Sequence, residues 1–236
     1  MPNIHPERFG VMQGRLSPPQ NGLIQSFPWE SWEEEFKIAK ACGIRNIEWT
    51  LDYDGLTDNP IANILLETKI KNLAIKNGVN YKTITGDFLM QKPFWKHAGL
   101  EQEKLLNELD YILEAMAKHN SKILVLPLVD NGSCNSVKEL DELKIQLLKR
   151  KQWLETNGIK VAFETDLSPT EEKDMIHEYP QNTFGINYDI GNSAALGYDI
   201  EEQITCIGNR ILNVHIKDRV LGGATVPLGE GNADIA

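Results

Sequence analysis

Two carboxylates and an imidazole stand at matching places in three successive β-type runs of this 236-residue chain. They are Glu164 in residues 159–165 (IKVAFET), Asp189 in residues 184–190 (FGINYDI) and His215 in residues 211–217 (ILNVHIK). Brought to one point, such donors form a mixed oxygen and nitrogen site for one divalent metal ion (Mn, Zn, Co or Mg), with open positions for water or substrate oxygens. The same three side chains equally suit a buried ion-pair network in which His215 bridges the two acids. Either reading requires all three to leave their strands on one face. The alternation allows it: Glu164 follows Phe163, Asp189 lies between Tyr188 and Ile190, and His215 lies between Val214 and Ile216.

The elements that must position them repeat along the chain. Short β-branched runs at 9–13, 46–50, 79–85 and 122–128 precede the three already named, and stretches of helical periodicity separate them. Seven such βα spacings predict an α/β fold. Helices are expected to begin near Ser31, Pro60, Leu100, Ser136, Ser168 and Asp199. Ser31 with Glu34 and Ser168 with Glu171 read as capping boxes, and Gly43, Gly78 and Gly158 read as left-handed helix ends. The acidic runs Glu33-Glu34-Glu35 and Glu171-Glu172 read as helix-start charges complementing the dipole.

Two architectures share this spacing, an open doubly wound sheet and a (β/α)8 TIM barrel. Polar residues of one parity at the strand ends (Glu48, Glu164, Asn187, Asp189, Asn213, His215, Lys217) favour the barrel, whose mouth is polar. The turn after the first strand, GRLSPP, lacks the glycine fingerprint of a dinucleotide fold. Only seven strands are visible. After Lys217 comes DRVLGGATVPLGEGN and a short helix start, so the expectation is one barrel domain over residues 1–236 whose eighth βα unit is missing. Open strand edges give a reason for two copies to associate as a homodimer.

Composition narrows the partners. With 24 Lys and Arg against 34 Asp and Glu, the net charge of −10 disfavours nucleic acid. Cys42, Cys134 and Cys206 form no CxxC pair and fit a reducing cytoplasm. The start, MPNIHPERFG, has no apolar core of a signal peptide, and no run approaches the roughly 18 apolar residues of a spanning helix. A soluble cytoplasmic protein acting on small molecules, with no membrane partner, is expected.

Six strings in order, GVMQGRLSP, GIRNIEWTLD, FETDLSP, NYDIGNS, NVHIKDR and VPLGEGNAD, resemble the xylose-isomerase-like TIM-barrel family of sugar and sugar-phosphate isomerases and epimerases. That family includes L-ribulose-5-phosphate 3-epimerase, hydroxypyruvate isomerase and tagatose 3-epimerase relatives. The resemblance implies a divalent metal held by Glu, Asp, His and Glu at the ends of strands five to eight. The first three map onto Glu164, Asp189 and His215, and the fourth has no position here. It also implies that the two Glu residues move a proton next to a carbonyl through an enediolate, with Glu164 as one catalytic group. A chain with one of the pair is then expected to be impaired, and about 40 further residues, one βα unit, to restore it. The alternatives are a non-catalytic sugar-binding barrel and a metal nuclease of the endonuclease IV type. The nuclease needs more His and Glu ligands and a basic face, against which the charge and only five histidines speak.

Five residues are candidates for substrate binding. Asn192 stands where several relatives carry a substrate-binding His, and a helix N-cap is its other reading. Glu48 can meet sugar hydroxyls or pair with a cation. Arg15, Lys217 and Arg219 point to an anionic substrate such as a sugar phosphate, with N–H groups of Gly222, Gly223, Gly229 and Gly231 as further donors. Phe88, Phe94 and Trp95 read either as an aromatic wall over a sugar or as packing.

Overall fold

The computed structural model describes residues 5–19, 22 and 25–235. The chain divides into two compact units, Met1–Leu124 and Val125–Ala236. In the first, β1 (Gly10–Met12), α1 (Trp32–Ala41), β2 (Asn46–Thr50), α2 (Glu67–Asn77), β3 (Thr83–Thr85), α3 (Asp87–Gln91) and α4 (Gly99–Lys118) follow in order. β1 and β2 run parallel with Met12 opposite Glu48, and β2 and β3 run parallel with Thr50 opposite Thr85. Alternation sends Trp49 to the other face, where it packs among Phe27, Trp32, Phe36 and Tyr81 and donates its indole N–H to Asn59 Oδ1 at 2.9 Å. The hydrogen bond removes the cost of burying that polar edge.

The boundary between the units falls inside β4 (Ile123–Leu128). The second unit continues with α5 (Val137–Asn157), β5 (Lys160–Thr165), α6 (Pro169–His177), β6 (Phe184–Asp189), α7 (Ile190–Leu196), α8 (Ile200–Ile207) and β7 (Ile211–His215). β5, β6 and β7 are parallel neighbours, with Phe163 opposite Ile186 and Asp189 opposite His215. Phe163 and Phe184 stack, and Tyr179 packs against both at a tilt. Gly185 lets β7 come close, because a Cβ there would fall 2.3 Å from Arg210 O. Among the described residues no eighth parallel strand follows; β8 (Asp218–Arg219) and β9 (Thr225–Val226) pair antiparallel as a small ribbon. Val214 and Ile216, on the apolar parity of the last run, are exposed. No described helix is long and apolar enough to cross a membrane.

Several expectations change. Ser168 and Glu171 form the predicted capping box, but Ser31 makes no side-chain cap and donates its hydroxyl to Ser17 Oγ instead. The helix expected from Pro60 begins at Glu67, because Asn59 Oδ1 holds the Ile61 N–H in a turn and Asn63 starts one separate tight turn over Ile64–Leu66. The strand expected over 79–85 narrows to β3, with Asn80 keeping a single bridge to Asn46. The short helix α3 was not anticipated, and α7 begins at Ile190, ahead of the start that an N-cap at Asn192 implies. Glu35 and Glu172 are not solvated helix-start charges: both turn inward and are buried. Phe88, Phe94 and Trp95 are buried, which is the packing reading.

Candidate metal and substrate site

The parallel register of β6 and β7 builds the site in two rows. Asn187 pairs with Asn213, and one step on Asp189 pairs with His215, after an irregularity between Ile186 and Asn187. Glu164, on the inward parity of β5, completes the group. One ligating atom from each of Glu164, Asp189 and His215 lies within 4.8 Å of the others. His215 Nδ1 is 3.1 Å from Glu164 Oε2 and 3.8 Å from Asp189 Oδ2, so the distances also accommodate the bridging network.

Amides hold the acids in place. Asn192 Nδ2 donates to Glu164 Oε1 and Asn187 Nδ2 to Glu164 Oε2, both at 2.7 Å. The same Asn187 nitrogen is 3.0 Å from His215 Nδ1, and Asn213 donates to Asn187 Oδ1 at 2.8 Å. Asp189 is the N-cap of α7: its Oδ1 accepts the Asn192 N–H at 2.8 Å, so the capping role open to Asn192 belongs to Asp189. This turn needs Gly191, whose Cβ would fall 2.5 Å from Lys217 Cγ.

The two acids are not equivalent. Burial alone would raise the Glu164 pKa, but the hydrogen bond and charge of His215, the charge of Lys217 and the Asn187 amide together hold it below the ordinary carboxylate value. Asp189 is pushed up by burial and then by repulsion from Glu164, against the opposing pull of Lys217. Lys217 Nζ lies 2.9 Å from Asp189 Oδ2, yet that buried oxygen accepts no hydrogen bond: the ammonium is near enough for an ion pair but misaligned for a bond. A buried oxygen without a directed donor is costly. That orphaned oxygen, the neighbouring Glu164 oxygen and an imidazole nitrogen are the donor chemistry of a divalent cation, so these residues fit the implied metal.

Six of the predicted site residues therefore meet in the second unit: Glu164, Asp189, His215, Asn192, Lys217 and Arg219, whose Nη1 donates to Asn192 Oδ1 at 2.8 Å. Arg15 and Glu48 belong to the first unit. Arg15 is exposed in the turn after β1 and feels the charge of Asp87, while half-buried Glu48 accepts the Gln13 N–H on its backbone oxygen. The four glycines expected to face an anion have other acceptors: Gly222 and Gly223 donate to Ala195 O and Val220 O, and Gly229 and Gly231 to Asp218. Sequence reasoning did not assign roles to Asn187, Asn213 and Asp218. The first two share the alternation of Asp189 and His215, and that signal could have found them.

No curated protein matches the chain. Solved structures share its fold. A xylose isomerase domain protein from Planctomyces limnophilus superposes with a TM-score of 0.70 at 15% identity, covering 96% of this chain and 83% of that one. A 3-keto-D-glucoside 4-epimerase from E. coli gives 0.65 at 17% identity, with 96% and 83% covered. D-psicose 3-epimerase from Clostridium cellulolyticum H10, solved with D-tagatose, gives 0.66 at 12% identity, with 87% and 72% covered. The family model described as xylose isomerase-like TIM barrel matches residues 36–236, and with that match this chain belongs to the xylose isomerase-like TIM-barrel family.

Proposed function

We propose that the chain is a divalent-metal-dependent isomerase or epimerase of sugars that transfers a proton next to a carbonyl carbon, with Glu164, Asp189 and His215 holding the ion. The observation that carries this reading is the meeting of three ligating atoms within 4.8 Å around an Asp189 oxygen that no donor satisfies. When bound there, the ion supplies a Lewis acid for the negative charge that develops on the sugar oxygens. Glu164 is the proton-transfer group. His215 and Lys217 keep it ionised, and its two amide donors fix its direction, as a base requires. Asn192 sits between Glu164 and Arg219 and couples the base to a cation that can hold a sugar oxygen. Lys217 keeps the substrate-binding role read from its place after His215. The sugar-processing structural neighbours support the substrate class. The same reading takes the chain as one catalytic domain that pairs with a second copy, and its three free cysteines support a cytoplasmic setting.

Metal analysis of purified protein, with turnover of a panel of free and phosphorylated ketoses, tests this. About one equivalent of Mn, Zn, Co or Mg, lost in His215→Ala, is expected. The ion pair of Lys217 with Asp189 favours a second reading, a metal-free polar network in a non-catalytic sugar-binding barrel. A folded protein that binds none of the four ions selects it.

A further inference from the structure

As a substrate ligand Lys217 needs a free ammonium, yet here its Nζ stands 2.9 Å from Asp189 Oδ2, the oxygen left open for the ion. Only the lysine of this pair is placed to move. Asp189 is fixed by its other oxygen, which caps α7 through the Asn192 N–H, and its side chain is 2% exposed. Lys217 is held at its base. A Cβ on Gly191 would fall 2.5 Å from Lys217 Cγ and 2.8 Å from Lys217 O, so stem and main chain lie against the start of α7. Beyond Cγ the side chain is flexible, and with 32% of it exposed the tip has a way to water. The hold on that tip is loose, since Oδ2 accepts no hydrogen bond from it.

Charge gives the direction of the movement. With His215 neutral, Glu164 and Asp189 set two negative charges against the one positive charge of Lys217, and the ammonium stays. A divalent ion on the same oxygens neutralises both acids, so the ammonium loses its counter-charge together with the oxygen it faced. Lys217 then carries an uncompensated positive charge at the site, which suits an oxygen that gains negative charge during proton transfer. Resting on the isomerase reading, we propose that Lys217 is a placeholder for the ion: its ammonium occupies the ion's place at Asp189 Oδ2 in the metal-free chain, and swings out to become the ligand of a substrate oxygen in the loaded one. Binding of that oxygen by Lys217 therefore requires the ion to be present first.

Crystal structures of the chain without metal and with saturating Mn2+, both free of sugar, test the displacement. The Nζ to Oδ2 distance is expected to stay near 2.9 Å without the ion and to exceed about 4 Å, outside ion-pair range, with it. An ion held by Glu164, Asp189 and His215 with Nζ still at Oδ2 overturns the proposal, as does a metal-free crystal with Nζ elsewhere. If calorimetry shows that none of Mn, Zn, Co and Mg binds, the isomerase reading falls and the placeholder falls with it. Kinetics test the substrate role. On the ketose that wild type turns over fastest, Lys217→Met at saturating Mn2+ should lower kcat/KM at least about tenfold while holding Mn2+ no more weakly than wild type, and Lys217→Arg should restore part of the loss. A smaller loss overturns the substrate role, because a lysine that only stabilised Asp189 would have no effect once the ion is bound. Absence of turnover across the panel refutes the isomerase reading and the substrate role, and the crystal distances still decide the displacement.

Discussion

Glu172 offers a direct measurement of what burying a carboxylate behind the site costs. It lies on α6, 4% exposed, and its one described hydrogen bond comes from Thr165 Oγ1 at 2.9 Å, on the residue after Glu164. Burial pushes its pKa to about 7 from the ordinary 4.5, with the Thr165 bond opposing. The folded state therefore keeps a proton that the unfolded chain gives up. The stability linked to this group is full below pH 4.5 and is lost as pH rises through about 7. At ~1.4 kcal/mol per pH unit the full loss is ~3 kcal/mol. Glu172→Gln keeps an acceptor for Thr165 and carries no charge. Its advantage over wild type should grow from about 1 kcal/mol at pH 5 to about 3 kcal/mol at pH 8, then level off. Urea denaturation followed by tryptophan fluorescence at intervals from pH 5 to 9 measures this. A difference that stays constant over that range would refute the reasoning, because Glu172 would then be ionised in the fold or exposed to water.

Three substitutions probe the site itself. Lys217→Met removes the ammonium beside Asp189 Oδ2 and should tighten Mn2+ binding about tenfold by calorimetry; unchanged affinity would mean that the lysine does not compete with a cation there. Gly191→Ala places a Cβ 2.5 Å from Lys217 Cγ and 2.8 Å from Lys217 O, and since the backbone cannot yield easily, a loss of about 1–3 kcal/mol in thermal unfolding and weaker Mn2+ binding should follow. Asn187→Leu strips a donor from Glu164 Oε2 and should cost about 1–3 kcal/mol in urea, a cost that added Mn2+ reduces if the ion takes over that oxygen.

The strand ends were legible in the sequence because alternation is a local rule. Glu164, Asp189 and His215 could be placed on one face from their neighbours alone, and β2 was read to the residue over Asn46–Thr50. Rules needing a distant partner were not legible. Nothing local separates Glu35, buried under the Gly14–Ser17 turn, from half-buried Glu33 and exposed Glu34 beside it, and nothing local tells Glu172 from Glu171. The capping box at Ser31 failed for the same reason, since its hydroxyl went to Ser17, fourteen positions away. The start of α7 was hidden because its N-cap is Asp189, a residue already assigned to chemistry.

That double use of Asp189 bears on which reading of the site is right. One oxygen is spent on the Asn192 N–H, which fixes the carboxylate to the start of α7 and turns the other oxygen toward Glu164 and His215. Asparagines 187 and 192 satisfy Glu164 as neutral donors, so they orient that acid without cancelling its charge. A network built only for stability would cancel both charges with aligned cations, because a half-satisfied buried network is worse than an apolar one. Here Lys217 supplies one positive charge at an angle that leaves Asp189 Oδ2 without a hydrogen bond. With His215 neutral, as a metal ligand must be, two acids face the single ammonium of Lys217, and a divalent ion bound by the same oxygens and His215 balances them.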